Sequence, residues 1–148
     1  MSQGPDSQAI QLTSSLDHVD LARDFVAEIA RTVPMSPKEI YDLELVVTEA
    51  LTNVTEHAYE GDEGMRVELA VSHADDALTI VISHDGHDFD PASQAEPVMR
   101  EYLAERRVGG LGLLLMKKLM DEVEYSTGED GVRRIRLVKR RAAGPEGA

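Results

Sequence analysis

Glu49, Asn53 and His57 fall four residues apart in the segment ELVVTEALTNVTEHAY, residues 44–59. At about 100° per residue they form one line along a helix, while Ile40, Leu43, Val47, Ala50, Leu51, Val54 and Ala58 gather on another side. An apolar stripe is all that a helix needs in order to dock. The polar line therefore has a separate use. A carboxylate within hydrogen-bond reach of a hydroxyl or water accepts its proton. A carboxamide oxygen is a neutral, hard ligand suited to Mg2+, which takes oxygen donors and keeps several waters beside substrate phosphates. The spacing suits a general base and a metal ligand one turn apart, facing a cleft. For an isolated Glu/Asn pair, a solvated helix face is the plainer reading.

Two further segments carry chemistry. Gly109, Gly110, Leu111, Gly112 and Leu113 stand just before an amphipathic run. Glycines allow close backbone approach, and a helix N-terminus presents free N–H groups, so together they suit a phosphate; a tight turn or hinge is the plainer reading. Neither a Walker A motif nor the Rossmann glycine pattern fits, since no Lys-Ser/Thr follows and the preceding segment reads as loop. Asp85-Gly86, followed by Phe89-Asp90-Pro91, ends an apolar alternating run and reads by itself as a turn.

The elements that must position these residues follow from periodicity and punctuation. A short strand is expected over 9–14, then a helix over 16–33 capped by Ser14 or Ser15, with Leu16, Val19, Ala22, Phe25, Val26, Ile29 and Ala30 on one face. Ser36, Pro37 and Glu39 form a capping box with proline in the first turn, starting the helix that bears the polar line and ends near Tyr59. Strands at 65–73 and 77–84 make a hairpin. Residues 92–108 are polar, with helical character at Val98–Arg107. A helix is expected over 111–122, then strands near 123–127 and 132–139 joined by the turn GEDG. This order implies an α+β, two-layer α/β sandwich: a mostly antiparallel mixed sheet with helices on one face.

The chain has 148 residues, 15 basic and 28 acidic, for a net charge of −13. That length gives one domain, over 8–141, between short tails at 1–7 and 142–148. The charge argues against a nucleic-acid partner and fits one with a basic or mixed surface. Cysteine is absent, which removes thiolate metal sites and disulfides. No apolar run reaches membrane-span length, and MSQGPDSQ lacks a secretion signal, so a cytoplasmic location without membrane contact is expected.

In combination, TEALTNVTEHAY, ISHDGHDFDP and GGLGLLLMKKLMDEVEY resemble the N, G1 and G2 boxes of the GHKL (Bergerat-fold) ATPase superfamily. That superfamily includes gyrase-type topoisomerases and histidine kinases. The chain is most similar to its small bacterial anti-sigma-factor serine/threonine kinases, over about 14–139. The resemblance implies ATP and Mg2+, with Glu49 as general base and Asn53 as Mg2+ ligand. It places Gly109, Gly110 and Gly112, with Leu111 and Leu113, around the phosphates through backbone N–H groups. Residues 92–108 become a lid, with Arg106 and Arg107 near the phosphates or solvating that lid. His57 matches a position where the family often has His, either lining the pocket or orienting the helix.

At the base end the sequence departs from the family. His84 stands where the family has an aspartate that accepts the adenine amino group, followed by Asp85 and Gly86; Asp88 replaces a second glycine. Val132, Arg133 and Arg134 stand where many relatives place a threonine supporting that aspartate. Weaker ATP binding, a changed base preference and loss of the nucleotide all stay open at this stage. The implied function is phosphorylation of a serine on a STAS-type anti-anti-sigma protein, sequestration of a sigma factor, and homodimer formation. A non-catalytic binding module of the same fold is the alternative. An ATP-driven clamp is a third reading, for which the length leaves no transducer domain.

Overall fold

Ser36 starts the central helix by the reciprocal bonds expected of it: its hydroxyl accepts from Glu39 N at 3.1 Å, and Glu39 Oε1 accepts from Ser36 N at 2.8 Å. In the computed structural model, which describes residues 7–33, 35–74, 76–86 and 110–141, this helix is α2, Pro37–Asn53. It does not stop at Asn53. Val54–Ala58 continue as one π-helical turn, with Tyr59 N bonded to Val54 O at 3.0 Å and Gly61 N to Thr55 O at 2.7 Å. A π turn is rare and frequently lies at a functional site.

Around α2 stand β1 (Gln8–Thr13), α1 (His18–Thr32), β2 (Arg66–Ala74), β3 (Ala77–His84), α3 (Gly110–Leu119), β4 (Glu122–Thr127) and β5 (Arg133–Arg140). The strand order is β1-β2-β3-β5-β4. Every pairing among the described strands is antiparallel, so the expected mixed character is absent there. The register lines up Leu69, Ile82 and Ile135 in one row and Ile80 and Leu137 in another. These residues, all buried, form the floor of the core under Leu43, Val46, Val47, Ala50 and Leu51 of α2 and Ala22, Val26 and Ile29 of α1. Each fully buried Leu, Ile or Val contributes about 1.5–3 kcal/mol. The opposite sheet face carries short and charged residues, among them Arg136 and Arg140, both paired with Glu122 at 3.0 Å.

Two expectations need correcting. The first helix begins later, at His18, and neither serine caps it by a side-chain bond to its first turn; Asp17 is the N-cap, with no side-chain cap bond either. Ser14 has a stronger claim elsewhere: its hydroxyl donates to Asp62 O at 2.7 Å and accepts from Met65 N at 3.0 Å, closing the 60–65 loop on the end of β1. Leu16 lies before that helix and is 53% exposed, so it takes no part in the apolar face. The other boundaries agree within a few residues, as expected where helix ends fray. Residues 1–6 of the 1–7 tail, the tail at 142–148, the 92–108 span and its helical stretch lie outside the described residues.

Candidate functional site

Glu49 and Asn53 sit one turn apart at the C-terminal end of α2, held there by the apolar stripe beneath them. Asn53 is only 3% exposed, and Glu49 is half-buried. Asn53 Oδ1 and Glu49 Oε1 are both buried and have no hydrogen-bond partner among the described residues. Leaving a buried acceptor unsatisfied costs about 1–3 kcal/mol. Such groups are rare in folded proteins and call for an explanation such as a catalytic role or a bound ion. Burial, and secondarily the charge of Glu56, pushes the Glu49 carboxyl above the ordinary glutamate range. Two unsatisfied oxygens, one neutral and one carboxylate, fit an Mg2+ ion and a proton acceptor.

His57 parts company with this pair. The π turn is wider than an α turn, so the straight line drawn through Glu49, Asn53 and His57 bends at Val54. His57 is exposed, whereas Asn53 is buried. The same turn presents Ala58 to the loop after β3. A Cβ on Gly86 would stand 2.6 Å from Ala58 O, so only glycine allows this approach.

Tyr59 closes the turn and joins three segments. Its hydroxyl donates to Arg66 O at 2.6 Å and accepts from Asp85 N at 2.9 Å, and its ring meets His84 edge-on at 5.9 Å. His84 is the last residue of β3 and is 2% exposed; its Nδ1 accepts from Gly86 N at 3.2 Å. Opposite it across the sheet, Arg133 donates through Nη1 to Gly86 O at 2.9 Å and Gly131 O at 3.2 Å. Ala58, Tyr59, Met65, Asp85, Gly86 and Arg133 line a cleft of about 450 Å³, with Glu60 and Asp62 on its exposed rim. Asp85, also exposed, pairs with Arg66 at 3.4 Å.

Of the residues singled out from sequence, Asp85 and Gly86 line the cleft, with His84 beside them. Glu49 and Asn53 lie further up the helix and do not line it. Gly110, Leu111, Gly112 and Leu113 form the first turn of α3, which packs against α2. Gly109, Asp88, Phe89, Asp90, Pro91, Arg106 and Arg107 lie outside the described residues. Sequence reasoning missed Tyr59 and Met65 and noted Arg133 only as a substitution. A tyrosine at a helix end reads as core, and nothing local shows that its hydroxyl spans two other segments.

Residues 12–139 match the family described as histidine kinase-like ATPase domain. The chain is 35% identical over 135 residues to the serine-protein kinase RsbW of Bacillus pumilus, covering 84% of this chain and 80% of that one. It is 32% identical over 123 residues to the RsbW of Listeria innocua, covering 80% and 78%. Among solved structures, the RsbU and RsbW domains of Rv1364c from Mycobacterium tuberculosis superpose with a TM-score of 0.64 at 18% identity. That match covers 91% of this chain and 32% of the longer one. The SiaB-SiaC complex from Pseudomonas aeruginosa gives 0.59 at 15% identity, covering 88% of both chains. The folds therefore agree where the sequences have diverged. With the capped helix, the glycine turn beside it and the α+β sandwich in place, the chain belongs to the histidine kinase-like ATPase family, in its branch of RsbW-type serine-protein kinases.

Proposed function

We propose that this chain is a partner-switching serine kinase that uses Mg·ATP to phosphorylate a serine on a STAS-type anti-anti-sigma protein and holds a sigma factor in turn. The observation that carries the reading is the pair of buried, unsatisfied oxygens on Glu49 and Asn53, one helical turn apart. Asn53 would hold Mg2+, whose chemistry is to neutralise the charge on the phosphate oxygens. Glu49 would take the proton from the serine hydroxyl as that oxygen bonds to the terminal phosphorus and ADP leaves. The first turn of α3 would supply N–H groups to the phosphates. The new phosphate brings a charge of about −1.5 to −2 against an already acidic chain, which favours release of the modified partner. Kinase activity is supported by the names of the relatives, and partner binding by a structural neighbour solved as a complex. Homodimer formation and a cytoplasmic location belong to the same reading. Among the described residues no helix is long and apolar enough to cross a membrane.

The test is phosphate transfer from millimolar labelled ATP to a candidate STAS-type domain, with and without Glu49→Gln. Losing a general base removes about 100-fold or more of the rate. Equal labelling by the variant would remove Glu49 from the chemistry. The second reading, a binding module without transfer, is favoured by one observation: His84, paired in register with Arg133, stands where the family has an aspartate. It is supported if the wild type shows no transfer and no thermal shift with Mg·ATP, since a ligand at about 100 times its dissociation constant adds roughly 2.7 kcal/mol.

A further inference from the structure

We propose that Tyr59 is a positioning residue of the nucleotide site: its hydroxyl, wedged between β2 and β3, fixes the Asp85–Gly86 loop against the helix that bears Glu49 and Asn53. The proposal rests on the nucleotide site put forward above. In that reading the phosphates lie near Asn53 and the base near the Asp85–Gly86 loop.

β2 and β3 pair with Val67 opposite His84, so the next residues outward, Arg66 and Asp85, face each other where the ladder ends. In an unbroken antiparallel ladder, facing residues exchange N–H···O bonds at every second pair. Here Asp85 N donates to the Tyr59 hydroxyl at 2.9 Å, and that hydroxyl donates to Arg66 O at 2.6 Å. One phenol oxygen thus stands where a direct bond from Asp85 N to Arg66 O would continue the ladder. Tyr59 is 6% exposed, and burial above all lifts its phenol above the ordinary tyrosine range. The hydroxyl therefore keeps its hydrogen, and with it both bonds, at neutral pH.

Both partners are backbone groups, so the hydroxyl acts on the course of the chain after β3. One residue further on, Gly86 is pressed against Ala58, where a Cβ would stand 2.6 Å from Ala58 O. Ala58 and Tyr59 are consecutive at the end of the turn that continues α2. The loop is thus held to the helix by a hydrogen bond at Asp85 and by close contact at Gly86. Asp85 and Gly86 line the cleft together with Ala58 and Tyr59, so the phenol sets the shape of the wall on which a base would rest.

The experiment is calorimetric titration of the full chain, wild type and Tyr59→Phe, with the β,γ-imido analogue of ATP at high and at low Mg2+. Phenylalanine keeps the ring that meets His84 and removes only the hydroxyl. The expected result is that the variant binds the analogue about tenfold more weakly at both Mg2+ concentrations, so that the gain in affinity from Mg2+ is unchanged. A change confined to the base end has that signature, because the metal acts at the phosphates. Equal affinity of the two proteins would overturn the role of the hydroxyl and leave the nucleotide site standing. Loss of the Mg2+ gain together with affinity would also overturn it, since the whole site would then have been disturbed. Absence of binding by the wild type at millimolar analogue would overturn both. Should the variant fail to fold, hydrogen exchange of the wild type decides. The Asp85 amide is expected to exchange about tenfold or more slowly with saturating analogue bound, and an unchanged rate would overturn the proposal.

Discussion

Glu49 carries a cost that the fold bears before any ligand arrives. Its carboxyl is held above the ordinary glutamate range first by burial and then by the charge of Glu56. Because folding raises this pKa, the folded chain holds the proton more tightly than the unfolded chain does. The ionised form therefore weighs against folding once pH exceeds the folded value, and the penalty disappears below the unfolded one. Glu49→Gln is expected to melt at a higher temperature than wild type at about pH 7.5 and to lose that advantage at about pH 4. Calorimetry at the two pH values checks this, and an equal melting temperature at neutral pH would show that the carboxylate is not strained. The same shift predicts that phosphate transfer rises with pH through a midpoint above the ordinary glutamate value, since only the ionised form accepts a proton. Asn53 has no charge to titrate. Asn53→Ala removes the buried oxygen itself, and it is expected to weaken Mg-dependent nucleotide binding with little change in stability.

At the scale of elements, the π turn at Val54–Ala58 connects the helix that bears Glu49 and Asn53 to the cleft. Three contacts fix its exit: Gly86 against Ala58, the Tyr59 hydroxyl between Arg66 and Asp85, and the Thr55 hydroxyl donating to Ser14 O at 2.8 Å. Gly86→Ala would drive its Cβ into backbone rather than into a flexible side chain. A loss of about 1–3 kcal/mol is expected, as for other overpacking changes, together with weaker nucleotide binding. Ser36→Ala is the contrasting change at the other end of α2. It removes one half of the capping box and should cost about 1 kcal/mol with no effect on affinity. Chemical denaturation and nucleotide titration of both variants separate the two effects.

Across the whole molecule, Lys139 connects layers that the chain order keeps apart. Its ammonium donates to Leu119 O at the C-terminal end of α3 at 2.7 Å and stands 3.7 Å from the buried Asp42 of α2. Asp42 has a second partner in Lys38 at 3.0 Å. A cation at a helix C-terminus also complements the helix dipole. Lys139→Met keeps the aliphatic stem but leaves that carbonyl without its donor and Asp42 with one partner. A loss of about 1–3 kcal/mol is expected, measurable by denaturation. Because α3 begins at the glycine turn, the variant should also weaken binding of a triphosphate at that end. Unchanged stability would show that the Asp42–Lys38 pair suffices.

The amino-acid sequence determined what depends on neighbours along the chain. The start of α2, the stripe under it, the alternation of β2 and β3 and the order of the described elements are written in short-range patterns, and the structure keeps them. The pairing of a carboxylate with a carboxamide was legible for the same reason, since one helical turn relates them. Three features came from packing alone. The widened turn after Asn53, which leaves His57 exposed, depends on how Ala58 and Tyr59 meet the loop at Gly86. Ser14 leaves helix capping because a loop nearly fifty residues away offers it two better bonds. His84 and Arg133 become neighbours only through the β3–β5 register, so their pairing has no local signature. Periodicity reports which side of an element is buried; which distant groups meet there is settled by strand order and close packing.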